Sequence, residues 1–134
     1  MPLRVELKPF ERIVIGESVI INSASRTCFL VDGEAPILRE KDTISAETAD
    51  TVAKRLYLCV QTMYLKNDPE PYRAAYLGLL EELAQEMPGD RDLTAAVAQL
   101  MSAGLLYKAL KEIRKLTARE PKSPAVPLTE PLTV

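Results

Sequence analysis

The stretch Asp32-Gly33-Glu34-Ala35-Pro36-Ile37-Leu38-Arg39-Glu40-Lys41-Asp42 separates two kinds of hydrophobic pattern. Before it, apolar residues alternate or run in short β-branched groups, as in strands; after it they recur every three or four places, as in helices. Leu3, Val5 and Leu7 alternate with Arg4, Glu6 and Lys8, and Pro9 stops the run. Ile13-Val14-Ile15 and Val19-Ile20-Ile21 flank Gly16-Glu17-Ser18, the signal of a hairpin. Asn22 to Ser25 form a polar turn, Thr27-Cys28-Phe29-Leu30-Val31 a further strand, and Pro36-Ile37-Leu38 a short edge strand. The links are too short for helical crossovers, so the strands pair antiparallel.

Beyond Asp42 the period becomes 3.6. Ala53, Leu56, Tyr57, Val60, Met63 and Tyr64 mark one helical face, with Ser45 or Asp50 available as its N-cap. Asn67-Asp68-Pro69-Glu70-Pro71 breaks this helix and leads into a second, whose face carries Tyr72, Tyr76, Leu79, Leu80, Leu83 and Met87. Pro88-Gly89-Asp90 ends that one, and Asp90 or Asp92 can cap a third with Val97, Leu100 and Met101. Gly104 is read as a break before a fourth. The fold class is therefore α+β: a small antiparallel N-terminal β-sheet over residues 1–42, a C-terminal helical bundle over 43–120, and a disordered proline-rich tail over 121–134. Leu56, Val60, Leu80, Leu83, Leu110 and Ile113 are expected in the helical core.

A chain of 134 residues with a formal charge of −2 is about one ordinary domain, without the overall basic charge of a general polyanion binder. Cys28 and Cys59 lie in apolar segments without Cys-x-x-Cys spacing and are expected to be buried free thiols, which suits a reducing compartment. The first residues carry acids too early for a secretory leader, and no apolar run approaches the about 18 residues of a membrane span. The expected location is the cytoplasm. Histidine is absent, removing the commonest general base and zinc ligand. The carboxylate neighbours Glu81-Glu82 and Asp90/Asp92 read as solvated charge or helix caps, and the five glycines are too scattered to cradle a phosphate. Neither catalysis, a metal nor a cofactor is expected.

Charge is unevenly distributed. Residues 103–120 hold five basic and two acidic side chains, whereas residues 43–102 hold five and nine. At about 100° per residue, Lys108, Lys111, Lys115 and Arg119 share one face of the last helix, with Arg114 on its flank. Leu106, Leu110, Ile113 and Thr117 lie opposite. Such a stripe is either a solvated surface or a contact for phosphates. A second candidate surface, Arg4, Lys8, Arg12, Arg39 and Lys41, is interleaved with acids. Arg39 stands at a strand end, where its guanidinium can grip a phosphate or a guanine edge bidentately, or pair with Glu40, Asp42 or a helix carboxylate. The tyrosines Tyr57, Tyr64, Tyr72, Tyr76 and Tyr107 fall mostly at core-facing spacing, which favours packing over base stacking.

The opening Pro2-Leu3-Arg4, the segment Leu38-Arg39-Glu40-Lys41-Asp42, Met63-Tyr64-Leu65 and Tyr107-Lys108-Ala109-Leu110 together resemble the FlbT family of bacterial flagellin regulators. The resemblance runs to about Glu120. It implies binding to the 5′ untranslated leader of flagellin messenger RNA, altering translation and decay, usually as a repressor. The partners so implied are that leader and, in an alternative reading, flagellin or another flagellar regulator bound by a chaperone or adaptor without direct RNA contact. Glu11-Arg12-Ile13-Val14-Ile15-Gly16, Ala35-Pro36 and Leu38-Arg39-Glu40 are also similar to the CsrA family of RNA-binding regulators, whose corresponding arginine binds RNA; here it is Arg39. The chain departs from that pattern in its shorter link between Ala35 and Arg39, in Leu38 at a usual histidine position, and in Leu7 near the first-strand arginine. A homo-oligomer is left open, strand exchange being the mode that the CsrA likeness implies. The candidate RNA contacts are Arg39, Arg4, Lys41, Lys108, Lys111 and Lys115.

Overall fold

The alternating segments fold into five strands, β1 (Leu3–Leu7), β2 (Arg12–Ile15), β3 (Ser18–Ile21), β4 (Thr27–Val31) and β5 (Ile37–Arg39), in a computed structural model that describes residues 2–120. Every pairing is antiparallel, but the strands make two sheets rather than one: a ribbon β1-β4 and a three-stranded sheet ordered β3-β2-β5. The polar turn after β3 explains the split. The Asn22 side chain, almost fully buried, donates through Nδ2 to the carbonyls of Leu7 (3.3 Å), Lys8 (2.8 Å) and Ser25 (2.8 Å). Its Oδ1 accepts from the Ser23 N–H (3.0 Å) and Thr27 Oγ1 (2.8 Å). One amide thus holds the end of β1 beside the start of β4, and β4 pairs with β1 instead of returning along β3. Gly16 at φ 61° turns the β2-β3 hairpin.

Alternation then assigns the faces of the sheet. Ile13 of β2 packs with Val5 and Leu7 of the ribbon, and Ile37 of β5 packs against the same group. Leu38, one residue on, belongs to the helical core. Strands β2 and β5 thereby join the ribbon to the helices, while β3 contributes no residue to either core.

Four helices follow, α1 (Val52–Lys66), α2 (Arg73–Glu86), α3 (Arg91–Ser102) and α4 (Leu106–Arg119). Thr51 caps α1, its Oγ1 accepting from the Lys54 N–H at 3.2 Å, so neither Ser45 nor Asp50 has the expected role. Ser45 instead turns the chain with Thr48, while the Gln61 side chain clamps both backbone groups of Ile44 (2.9 and 3.1 Å). No acid lies in the first turn of α1. Glu120, just past α4, supplies one: its Oε2 accepts from the Ala53 N–H at 3.1 Å. Asn67 at φ 54° closes α1, and Gly104 at φ 77° makes the expected break between α3 and α4.

Helix α4 packs on α1 and α3, and α1 also on α2. Leu56, Val60, Leu83, Leu110 and Ile113 are buried as expected, whereas Leu80 is only partly so, because α2 presents just Tyr76 and Leu83 fully inward. Cys28 is exposed, contrary to expectation: it stands opposite Glu6 on the outward face of the ribbon, while its neighbour Phe29 turns inward. Cys59 is half-buried, and burial pushes its thiol pKa up. The expected disordered tail, 121–134, lies outside the described residues.

Replacing Asn22 with alanine removes donors from three carbonyls and should destabilise the fold by about 1–3 kcal/mol, read by urea unfolding followed by circular dichroism. Glu120→Ala removes an anion from the start of α1 and also the acceptor of the buried Ala53 N–H, and should cost about 1–3 kcal/mol in the same assay. An Asn22 variant as stable as wild type would refute the role given to this amide.

Candidate functional site

Where ribbon, β5, α1 and α4 meet, a cleft of about 410 Å³ opens, lined among others by Arg4, Val31, Ile37, Arg39, Tyr64 and Tyr107. Each side chain reaches it for a local reason. Tyr64 lies in the last turns of α1, and its hydroxyl accepts from the Ile37 N–H at 3.2 Å, which fixes the ring against the edge of β5. Tyr107 lies in the first turn of α4, just beyond the Gly104 break, and its ring centroid is 5.9 Å from that of Tyr64 at an interplanar angle of 38°. The Lys111 Nζ sits over the Tyr107 ring, 4.9 Å from the centroid, one helical turn on. Tyr107 is 43% exposed.

Arg39 is the anchored member. Its Nη1 donates to the Glu6 carbonyl (3.1 Å) and to Glu11 Oε2 (3.3 Å), so its ion pair is with a residue of the strand region and not with Glu40, Asp42 or a helix carboxylate. Glu11 also accepts from the Lys8 N–H at 2.9 Å; that bond first, and the Arg39 guanidinium after it, hold the Glu11 carboxyl below the usual carboxylate range. Glu40 pairs instead with Arg12 (3.6 Å), and Asp42 with Arg114 (2.8 Å). Arg4 pairs with Glu6 at 3.0 Å on the exposed face of β1, where the pair is weakly held.

The basic stripe of α4 is divided by its partners. Lys115 pairs with Glu112 (3.0 Å), Arg119 with Asp90 (2.7 Å) and Arg114 with Asp42. Lys108 and Lys111, at the cleft end, make no ion pair among the described residues, and neither does the exposed Lys41. Of the six candidate contacts, Arg4 and Arg39 line the cleft, Lys111 stacks on its aromatic wall and Lys108 continues along the same helix. Lys41 and Lys115 do not line it.

The tyrosines divide too. Tyr57 and Tyr76 are buried, as core spacing predicts, and burial raises both phenol pKa values. The Tyr57 hydroxyl donates to the Asp42 carbonyl. Tyr64 and Tyr107 form the cleft wall, which sequence reasoning missed; the available signal was Tyr107 itself, an aromatic residue among lysines just after a helix break. The anchored Arg39 guanidinium, two aromatic rings and an apolar floor can hold a planar group with an attached anion.

Comparison with known proteins gives the chain a family. The model of the family described as "Flagellar protein FlbT" matches residues 3–123. A probable flagellum biosynthesis repressor protein FlbT of Rhodopseudomonas palustris (strain TIE-1) is 60% identical over 120 residues, 90% of this chain and 95% of that protein. A Bradyrhizobium diazoefficiens relative, probable flagellum biosynthesis repressor protein FlbT 1, is 46% identical over 91% of this chain and 84% of its own length. The flagellum biosynthesis repressor protein FlbT of Caulobacter vibrioides (strain ATCC 19089) is 31% identical over 90% and 87%. No solved structure matches the chain. With a family model spanning nearly all the described residues and relatives aligned along most of their own lengths, the chain belongs to the FlbT family of flagellar proteins.

Proposed function

We propose that this protein represses flagellum biosynthesis after transcription, by binding the 5′ untranslated leader of flagellin messenger RNA and changing its translation and decay without catalysis. The repressor role rests on the names of the relatives, and the RNA on the resemblance of the motifs. The observation that carries the reading is the cleft, where Tyr64 and Tyr107 stand beside Arg4, Arg39 and Lys111. Single-stranded RNA is held by stacking bases on aromatic faces and by cations on the phosphates. Tyr107 is the stacking platform in this reading. Arg39, held by Glu6 and Glu11, is the selective contact, with Arg4 beside it. Lys108 and Lys111 attract the backbone regardless of sequence, with Lys41 and Lys115 contributing at longer range.

A second reading has a specific observation behind it. Between α2 and α3 lies an open groove of about 570 Å³ lined by Leu77, Leu80, Ala84 and Thr94, with Leu77 largely exposed. It suits an apolar segment of a protein partner, flagellin or another flagellar regulator.

Titrating purified protein into a labelled flagellin leader separates the two. Tyr107→Ala should weaken binding by about 1–3 kcal/mol, the usual worth of a base stacked on an aromatic ring. Arg39→Ala should weaken the cognate leader more than an unrelated RNA. The double variant Lys108→Ala/Lys111→Ala should weaken both RNAs alike and reduce the slope of log K against log salt by about 1.4, two single-strand phosphate contacts. Unchanged leader affinity in all three, with circular dichroism intact, would sink the RNA reading. Under the protein-partner reading, Leu77→Glu should instead abolish a complex with flagellin or a flagellar regulator and leave leader binding as it was.

A further inference from the structure

The two edges of the sheet β3-β2-β5 are treated differently. The β5 edge is occupied, since the Ile37 N–H donates to the Tyr64 hydroxyl and the Ile37 carbonyl lies 3.5 Å from the same oxygen. The β3 edge is bare. All four of its residues are exposed, including Val19 at 54%, Ile20 at 40% and Ile21 at 59%. Natural edge strands are usually blunted by lysine, proline or a bulge, and Ser18-Val19-Ile20-Ile21 carries no charge and no proline.

The hydrogen-bond phase of this edge follows from its neighbours. The Asn22 N–H donates to the Glu11 carbonyl at 2.9 Å, and the two-residue turn Gly16-Glu17 sets Ile15 opposite Ser18. Antiparallel pairs alternate between hydrogen-bonded and non-hydrogen-bonded, so Ile13/Ile20 and Ile15/Ser18 share the phase of Glu11/Asn22. Ser18 and Ile20 therefore direct their backbone groups to β2, while Val19 and Ile21 direct theirs outward, and β3 pairs with no strand but β2 among the described residues. These two outward residues are symmetric about Ile20.

We infer that the protein forms a two-fold homodimer in which β3 pairs antiparallel with β3 of a second copy, joining two three-stranded sheets into one of six strands. An axis through Ile20 sets Val19 opposite the partner's Ile21, and Ile21 opposite the partner's Val19, as two hydrogen-bonded pairs that satisfy the outward amides on both sides. Ile20 meets the partner's Ile20 at the closer, non-hydrogen-bonded position. The second copy is the fitting occupant because the edge is its own complement: the same β-branched side chains face one another, and no like charges are opposed. This inference is independent of the RNA reading, and its pairing differs from strand exchange, because β1 and β5 stay with β4 and β2 of their own chain.

The test is the mass of the full chain in solution by light scattering, together with cysteine crosslinking. Wild type should run as a dimer at tens of micromolar, and Ile20→Lys as a monomer with an unchanged circular dichroism spectrum. In a Cys28→Ser/Cys59→Ala background, Ile20→Cys should form an interchain disulfide on mild oxidation, because non-hydrogen-bonded partners have Cα atoms about 4.5 Å apart. Val19→Cys should not, since its own counterpart is two residues out of register, whereas Val19→Cys/Ile21→Cys should. A monomeric wild type would overturn the inference. So would a dimer that persists in Ile20→Lys and fails to crosslink through residue 20, the result expected if the copies meet by strand exchange or through the helices.

Discussion

Three consecutive residues of β5 join the parts of this molecule. A strand sends successive side chains to opposite faces, so Ile37 packs with Val5, Leu7 and Ile13, Leu38 enters the helical core, and Arg39 returns to the ribbon side to bind Glu6 and Glu11. The ribbon and sheet enclose only three fully buried apolar side chains of their own, too few to hold strands of four and five residues together in water. The strand region therefore depends on the larger helical core that Leu38 reaches, and the Tyr64 hydroxyl on Ile37 fastens the same junction from the helical side. The cleft lies at this junction, with β5 as the wall shared by the ribbon and the helices.

Electrostatics reinforces the arrangement. Of the cations on α4, those far from the cleft or facing the chain below are matched by carboxylates, Arg114 by Asp42 and Arg119 by Asp90. These pairs are solvent-exposed on the arginine side and worth little individually. Their effect is on the distribution of charge: the unpaired positive groups of the helix are concentrated at its first two turns, beside the aromatic pair.

Much of this is legible in the sequence alone. The change of period at Asp42 divides strands from helices because burial on one face imposes a period of two or of 3.6, and that constraint is local. Gly104 as a break was legible for the same reason, a glycine in the left-handed region leaving its mark within one turn. Long-range placements were not. Asn22 reads as an ordinary turn residue until Leu7 and Lys8 are brought beside it, and only then does the sheet divide in two. Cys28 sits in an apolar run, but alternation in a ribbon covered on one face sends it outward. Arg39 was identifiable as a guanidinium at a strand end, whereas Glu11 as its partner depends on how the β1-β2 connection folds back. Tyr64 and Tyr107 belong to helices separated by two others, and their meeting follows from the packing of α4 on α1.

That meeting has a spectroscopic consequence. The chain contains no tryptophan and five tyrosines. Its near-ultraviolet absorption and emission are therefore those of tyrosine, and the two closely spaced rings of Tyr64 and Tyr107 line the cleft. Excitation shared between rings at this separation is sensitive to their mutual orientation, and emission from a phenol is quenched when a nucleobase stacks on it. Under the RNA reading, these two rings would act as a native optical reporter, their emission falling when a base enters the cleft, without any attached dye.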